Sequence, residues 1–440
     1  MARSILRKFP IGVQSFKKIR DNQFLYVDKT ALVYELANSG GSYFLSRPRR
    51  FGKSLLISTF EAYFKGQKEL FEGLAIEQLE KDWITYPVLH IDLNAEKFDA
   101  PEQLDALLSN QLTQWEEIYG KGEDETTLSL RFKGVIRRAA EQTGHPAVVL
   151  VDEYDKPLLQ SLHKEALHSA YKDTLKAFYG VLKSADQYLR FYLLTGVTKF
   201  SQVSVFSDLN QLNDISMDKR YNEICGLTWQ EIADNFEPEL KELAEDNDLT
   251  PEETRETMTR LYDGYHFMFG QEGIFNPFSV LNVLDRSQFD NYWFKTGTPT
   301  FLVELLKKTD YDLRDIDGVQ MAVDGFADYR ADVQRPIPVI YQSGYLTIKG
   351  YDKTFGLYRL GFPNKEVEEG FIKYLLPYYT PVNQVDTTFQ IKKFAQEIYE
   401  GNYDAFLRRL QSFFADTPYE LVRNLELHYQ NVLFIVFKLL

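Results

Sequence analysis

The stretch Ser42-Tyr43-Phe44-Leu45-Ser46-Arg47-Pro48-Arg49-Arg50-Phe51-Gly52-Lys53-Ser54 decides how the first half of this chain is read. Residues 42–45 have the character of a short strand, and residues 54–64 carry a helical pattern. A strand, a basic turn and a helix N-terminus in that order are what a phosphate-cradling loop requires. Backbone N–H groups must be aimed at an anion, and the positive end of a helix favours it. In that reading Lys53 reaches the β/γ-phosphates, the Ser54 hydroxyl ligates Mg, and Gly52 lets the backbone approach closely. The full spacing is G-x-x-x-x-G-K-[ST], and Arg47 stands where its first glycine belongs. Arg47, Arg49 and Arg50 add local positive charge. A solvated or ion-paired loop is the alternative for each of them.

About one hundred residues downstream, Ala147-Val148-Val149-Leu150-Val151 is a run of five apolar residues followed directly by Asp152 and Glu153. Such a run suits a strand buried on both faces. Its C-terminal end is where an open α/β sheet binds ligands. Asp152 is placed to hold Mg, through water, and Glu153 to polarise an attacking water as general base. An acidic helix cap or an ion pair with an arginine is the alternative reading of the pair.

Further strand patterns occupy residues 88–93 and 190–195, and helical patterns occupy 101–119, 128–143 and 166–183. This alternation predicts a parallel sheet with helices on both faces. The last of these strands ends in Leu194-Thr195-Gly196-Val197-Thr198-Lys199. Thr195 and Thr198 are both candidates to touch the γ-phosphate or the attacking water, and both also fit ordinary turn threonines.

The chain has 440 residues, 44% hydrophobic and 15% aromatic, enough for two to four well-filled domains. Its formal charge of −14 supplies no global positive field for tight nucleic-acid binding. A single cysteine, Cys225, excludes an intramolecular disulfide and fits a reducing cytoplasm. The histidines, His90, His145, His163, His168, His266 and His428, show no zinc-ligand spacing with it. The longest apolar run, residues 432–440, is interrupted by Lys438 and is too short to span a bilayer. No membrane partner is expected.

After residue 217 the texture changes. Residues 228–263 are polar and helical, with a turn at 247–251, and helical patterns follow at 277–284 and 300–308. Residues 345–351 and 356–362 read as two strands around Asp352-Lys353-Thr354-Phe355, a hairpin after helices that suggests a winged-helix domain. Asn364 can cap the next helix, with Glu366 in its first turn complementing the dipole. Residues 387–440 read as three helices.

Arg47-Pro48-Arg49-Arg50-Phe51-Gly52-Lys53-Ser54 and Val151-Asp152-Glu153-Tyr154-Asp155-Lys156-Pro157 resemble the AAA-ATPase-like family common in gut Bacteroidetes and other anaerobes. Phe9-Pro10-Ile11-Gly12, Tyr26-Val27-Asp28-Lys29-Thr30 and Tyr341-Gln342-Ser343-Gly344-Tyr345-Leu346-Thr347 extend the resemblance over most of the chain. The resemblance implies an additional-strand P-loop ATPase fold in which arginine at the first glycine position is usual. It also implies a C-terminal nuclease-like domain of the PD-(D/E)XK superfamily. Glu426 resembles the helix glutamate of that domain, whose remaining residues are expected beyond Leu440. Glu239-Leu240-Lys241 matches E-x-K but lies in a polar helical stretch and reads as solvated surface. Phe437-Lys438-Leu439-Leu440 reads as an uncapped, interrupted helix end, so the face around Val432, Leu433, Val436 and Leu440 is expected to be partly uncovered.

The expected organisation is thus an ATPase domain over 1–217, a helical region over 218–285, a winged-helix-like domain over 286–365 and the truncated helical start of a nuclease-like domain over 366–440. The expected activity is Mg-dependent ATP binding and hydrolysis that switches or drives an attached effector in DNA processing or defence. DNA is then a partner through the winged-helix and nuclease-like regions. The alternative is a non-hydrolysing nucleotide switch. No nuclease activity is expected of this chain itself.

Overall fold

In a computed structural model, the described residues are 7–162, 164–198, 212–296, 300–327, 336–380, 386–415 and 424–440. His163 and Lys199 lie outside them. The chain divides into two compact units, Met1–Glu237 with the short segment Phe326–Ala331, and Pro238–Gly325 with Asp332–Leu440. This division is coarser than the four-part expectation, and its boundary falls after Glu237.

The first unit is built on five parallel strands, β1 (Gly41–Ser46), β2 (Val88–Asp92), β3 (Ala147–Asp152), β4 (Leu189–Gly196) and β5 (Leu212–Asp214). Their order is β2-β3-β4-β1-β5. β4 therefore lies between the strand that precedes the phosphate-loop sequence and the strand that precedes the two carboxylates, pairing Leu45 with Thr195 and Val151 with Leu194. Every residue of β3 is buried, as its unbroken apolar run requires. Helices Lys53–Phe64, Pro101–Tyr119, Leu128–Thr143 and Glu165–Ser184 flank the sheet, close to the sequence expectation. β5 was not foreseen.

Two of the sequence segments singled out above turn out to be joints. Asp28 accepts the Thr30 N–H (2.8 Å) and hydroxyl (2.6 Å) through one carboxylate oxygen and the Ala75 N–H (2.7 Å) through the other. The Thr30 hydroxyl accepts from Ile76 N at 3.1 Å. One Asp–Thr pair thus satisfies donors at the starts of helices Thr30–Asn38 and Ala75–Leu79. Lys29 pairs with Glu231. The Pro10-Ile11-Gly12 segment is a turn closed by Val13 N to Pro10 O at 3.1 Å, with Gly12 at φ 73°.

The second unit carries helices Glu237–Asp246, Pro251–Tyr262, Pro277–Arg286, Thr300–Lys308 and Lys365–Tyr379 and a three-stranded antiparallel sheet. In that sheet β6 (Gln320–Ala322), β7 (Thr347–Asp352) and β8 (Leu357–Gly361) run in the order β6-β8-β7. The expected hairpin is β7–β8, its turn pinned by Asp352 accepting from Thr354 N at 2.8 Å. β6 was not expected, being only three residues long. The segment around Gly344, at φ 87°, ends helix Ile337–Gln342 and redirects the chain toward β7.

Asn364 caps helix Lys365–Tyr379 by accepting from Val367 N at 3.1 Å. Glu366 is in its first turn but is buried, accepting from Ser279 Oγ (2.7 Å) and Trp293 N (2.6 Å), so it works as a core joint rather than as a solvent-facing dipole partner. Helices Thr387–Tyr399, Tyr403–Ala415 and Leu425–Leu439 follow. The apolar face expected to be partly uncovered is closed at Val432 and Val436 and half-open at Leu433 and Leu440. Helix Leu425–Leu439 packs on Lys365–Tyr379, leaving Val432 and Val436 fully buried and Leu433 and Leu440 partly so. Among the described residues no helix is long and apolar enough to cross a membrane.

Candidate nucleotide site

The C-terminal edge of the five-stranded sheet gathers the sequence candidates. Arg47 follows β1 directly, and residues 47–52 turn into helix Lys53–Phe64. Arg50 (φ 66°) and Gly52 (φ 92°) both adopt left-handed backbone. Two such residues close together make the kind of concavity in which backbone N–H groups bind anions. A Cβ at Gly52 would meet open space, so glycine is favoured there by conformation alone.

The helix that starts at Lys53 has no side-chain cap. Elsewhere in the chain Thr228, Thr250, Asn276 and Asn364 accept backbone N–H groups of their helix starts through a side-chain oxygen. Among the described residues no side chain caps the N-terminal N–H groups of Lys53–Phe64, and the helix dipole there favours an anion.

Lys53 points inward. Its ammonium donates to Arg47 O (3.1 Å) and Pro48 O (3.3 Å) and pairs with Glu153 Oε1 at 3.5 Å, with the side chain only 3% exposed. Ser54 is half-buried, Pro48 and Phe51 are buried, and Arg49 and Arg50 are exposed. Arg47 is buried with its guanidinium donating to Ser46 O (2.9 Å), Ser216 O (2.8 Å) and Tyr221 O (3.1 Å). At the position of the missing glycine, then, a buried arginine ties the phosphate loop to the segment after β5.

At the end of β3, Asp152 is buried and accepts from Thr195 Oγ1 (2.7 Å) and Glu153 N (3.0 Å). Glu153 is half-buried and left-handed, at φ 53°. Holding a residue with a Cβ there costs about 1–2 kcal/mol, strain of a kind that collects at functional turns. Thr195 and Thr198 are fully buried. Their hydroxyls donate to Asp152 and, at 2.5 Å, to Asp155, so each threonine's one O–H is directed at a carboxylate.

Asp155 is the residue that motif reading passed over. It has no exposure and accepts from Val197 N (3.1 Å), Thr198 N (2.6 Å) and Thr198 Oγ1. Burial, reinforced by the Glu153 charge, pushes its carboxyl up to about 6. Nearby, Lys156 donates to Asn94 O (2.7 Å) and Asn94 Oδ1 (2.9 Å), tying this turn to the loop after β2.

In the second unit, Glu426 is exposed and accepts from Gln430 Nε2 at 3.3 Å. Lys241 is exposed and pairs with Glu245. Among the described residues no three His, Cys, Asp or Glu side chains converge so as to hold a metal ion.

The geometry can be set beside known proteins. The family profile of predicted AAA-ATPases matches residues 10–206. A protein of Azotobacter chroococcum mcd 1, described as an uncharacterized protein in the vnfD 5' region, is 36% identical over 425 residues. The similarity covers 95% of this chain and 79% of that protein.

Proposed function

As the chain belongs to the AAA-ATPase-like family of predicted AAA-ATPases, we propose that it binds ATP with Mg at the phosphate loop and hydrolyses it slowly. The observation that carries this reading is the uncapped helix start behind Arg50 and Gly52, with the buried Lys53 ammonium 3.5 Å from Glu153. The loop backbone, the helix dipole and Lys53 together suit a polyphosphate.

The residues present fit Mg as well. The Ser54 hydroxyl and the Asp152 carboxylate are its protein-side holders, few in number as is usual for an ion shared with phosphates. The ion supplies charge neutralisation at the phosphates. Thr195 donates to Asp152 and so restrains the carboxylate. Glu153 is the base that orients and deprotonates the attacking water, and its strained backbone sets it apart from Asp152, so adjacent carboxylates take different tasks. Arg47 contributes by fixing the loop, and Arg49 and Arg50 supply positive charge at its exposed side.

A second reading has its own observation. Glu153 is paired with Lys53, which lowers its availability as a base and favours a nucleotide-binding switch with little turnover. In either case the second unit is the effector side, with the β6–β8 sheet and its preceding helices read as winged-helix-like, residues 366–440 as the start of a nuclease-like domain, and DNA as their partner. Phosphate release from ATP with Mg, in wild type beside Glu153→Gln, separates the two readings.

A further inference from the structure

The turn after β3 and the end of β4 are joined by more bonds than a strand crossing requires. Tyr154 N donates to Thr195 O at 3.0 Å, and Tyr154 OH donates to Thr198 O at 2.9 Å. Asp155 receives Val197 N, Thr198 N and the Thr198 hydroxyl. Between them Gly196 leaves no room for a side chain. A Cβ there would lie 2.7 Å from Asp155 Oδ1 and from the Tyr154 ring. Gly196 O in turn accepts from Arg47 N at 3.2 Å, so the same strand end touches the phosphate loop.

Among the described residues two backbone N–H groups and one hydroxyl donate to the Asp155 carboxylate. That arrangement favours the ionised carboxylate, because the two backbone N–H groups can only donate and a protonated acid would turn one oxygen into a competing donor. Opposing this are full burial and the charge of Glu153, while Lys53 favours the ionised form. Tyr179, from helix Glu165–Ser184, is a further titratable group that faces it.

We infer that Asp155 is a positioning residue that locks residues 152–155 to residues 195–198, so that the two segments respond as one piece to what binds at the phosphate loop. The inference rests on the ATP reading only for the identity of that ligand. If Asp155 were a mere core plug, its replacement would lower stability alone. If it positions, the protection of the β4 end and the catalytic rate depend on its charge.

Amide hydrogen exchange of peptides covering residues 189–198 in the full chain, between pH 5 and 7.5, is the first readout. Protection of Val197 and Thr198 is expected to drop as pH falls through about 6 in wild type, and to show no such step in Asp155→Asn. The second readout is turnover against binding. Asp155→Asn is expected to keep ATP affinity within about threefold while losing about tenfold or more in kcat, together with the acid limb of the pH profile.

Because Asp155→Asn removes charge from a packed site, Thr198→Val and Thr198→Ser provide a second pair. The valine is expected to lose protection and rate, and the serine to restore most of both. Exchange, kcat and pH profile unchanged from wild type in Asp155→Asn and Thr198→Val overturn the inference. Equal behaviour of the valine and serine variants does the same if Asp155→Asn fails to fold. A charge-dependent protection step in a protein that binds no ATP supports the lock and overturns the ATP reading alone.

Discussion

Lys53 Nζ and Glu153 Oε1 lie 3.5 Å apart and join the two halves of the candidate site, the phosphate loop and the turn after β3. The cation that would face the phosphates and the carboxylate that would activate water hold each other. Any ligand that recruits Lys53 changes the surroundings of Glu153 at the same moment.

Replacing Glu153 by Gln keeps the size of the side chain and removes the base. ATP binding is expected to persist, with Lys53 released from its ion pair. Turnover is expected to fall by ~10²-fold or more, the usual loss for a general base. Steady-state phosphate release and a binding titration on the same preparation check this. A variant that hydrolyses at the wild-type rate removes Glu153 from the role.

Two glycines of the site are expected to respond differently to alanine. At Gly52 the new Cβ has open space but must sit at φ 92°, so Gly52→Ala costs about 1–2 kcal/mol of strain and perturbs the loop. At Gly196 the backbone is ordinary strand, but the Cβ collides with Asp155 and Tyr154 inside the core. Gly196→Ala should therefore destabilise the first unit by about 1–3 kcal/mol, as overpacking does, and lower turnover as well. Urea unfolding followed by the aromatic signal ranks the two.

Glu366 gives a pH test in the second unit. Burial pushes its carboxyl up to about 7 from an ordinary value of 4.5. The folded form thus holds the proton more firmly than the unfolded form, so Glu366 favours folding most below pH 4.5. That contribution is lost as pH rises from 4.5 through about 7, on the order of 3 kcal/mol in all. Glu366→Gln should be less sensitive to pH over that window than wild type. Parallel melting curves at pH 5 and 7.5 check it, and identical pH dependence in the two proteins contradicts it.

Much of the first unit could be read from residue order. The all-apolar run before Asp152 and the helical patterns at 101–119 and 128–143 leave little choice of element, and the described ranges match them closely. β5 and β6 escaped because three residues, half of them exposed, carry no periodic signal. The insertion of β4 between β1 and β3 could not be read from residue order, since periodicity does not encode strand order.

At the site itself, Lys53, Ser54, Asp152 and Glu153 were legible because their chemistry is fixed by spacing along the chain. Arg47 and Asp155 were not. Arg47 looks like loop charge until Ser216 and Tyr221, some 170 residues away, are seen to accept from it. Asp155 looks like one more acidic residue in Asp-Glu-Tyr-Asp until the bare Gly196 brings Val197 and Thr198 over it. Of the apolar face expected to be partly uncovered, Leu433 and Leu440 are half-exposed but Val432 and Val436 are buried, because the covering helix Lys365–Tyr379 is distant in sequence.

The most direct test of the central claim is calorimetric titration of ATP into the full chain with and without Mg, in wild type beside Lys53→Ala. Losing a charged hydrogen-bond donor to the phosphates is expected to cost about 2 kcal/mol, a weakening of roughly 30-fold, and omission of Mg should weaken wild type as well. ATP bound equally well by wild type and Lys53→Ala would contradict the assignment of the loop at residues 47–54 as the nucleotide site.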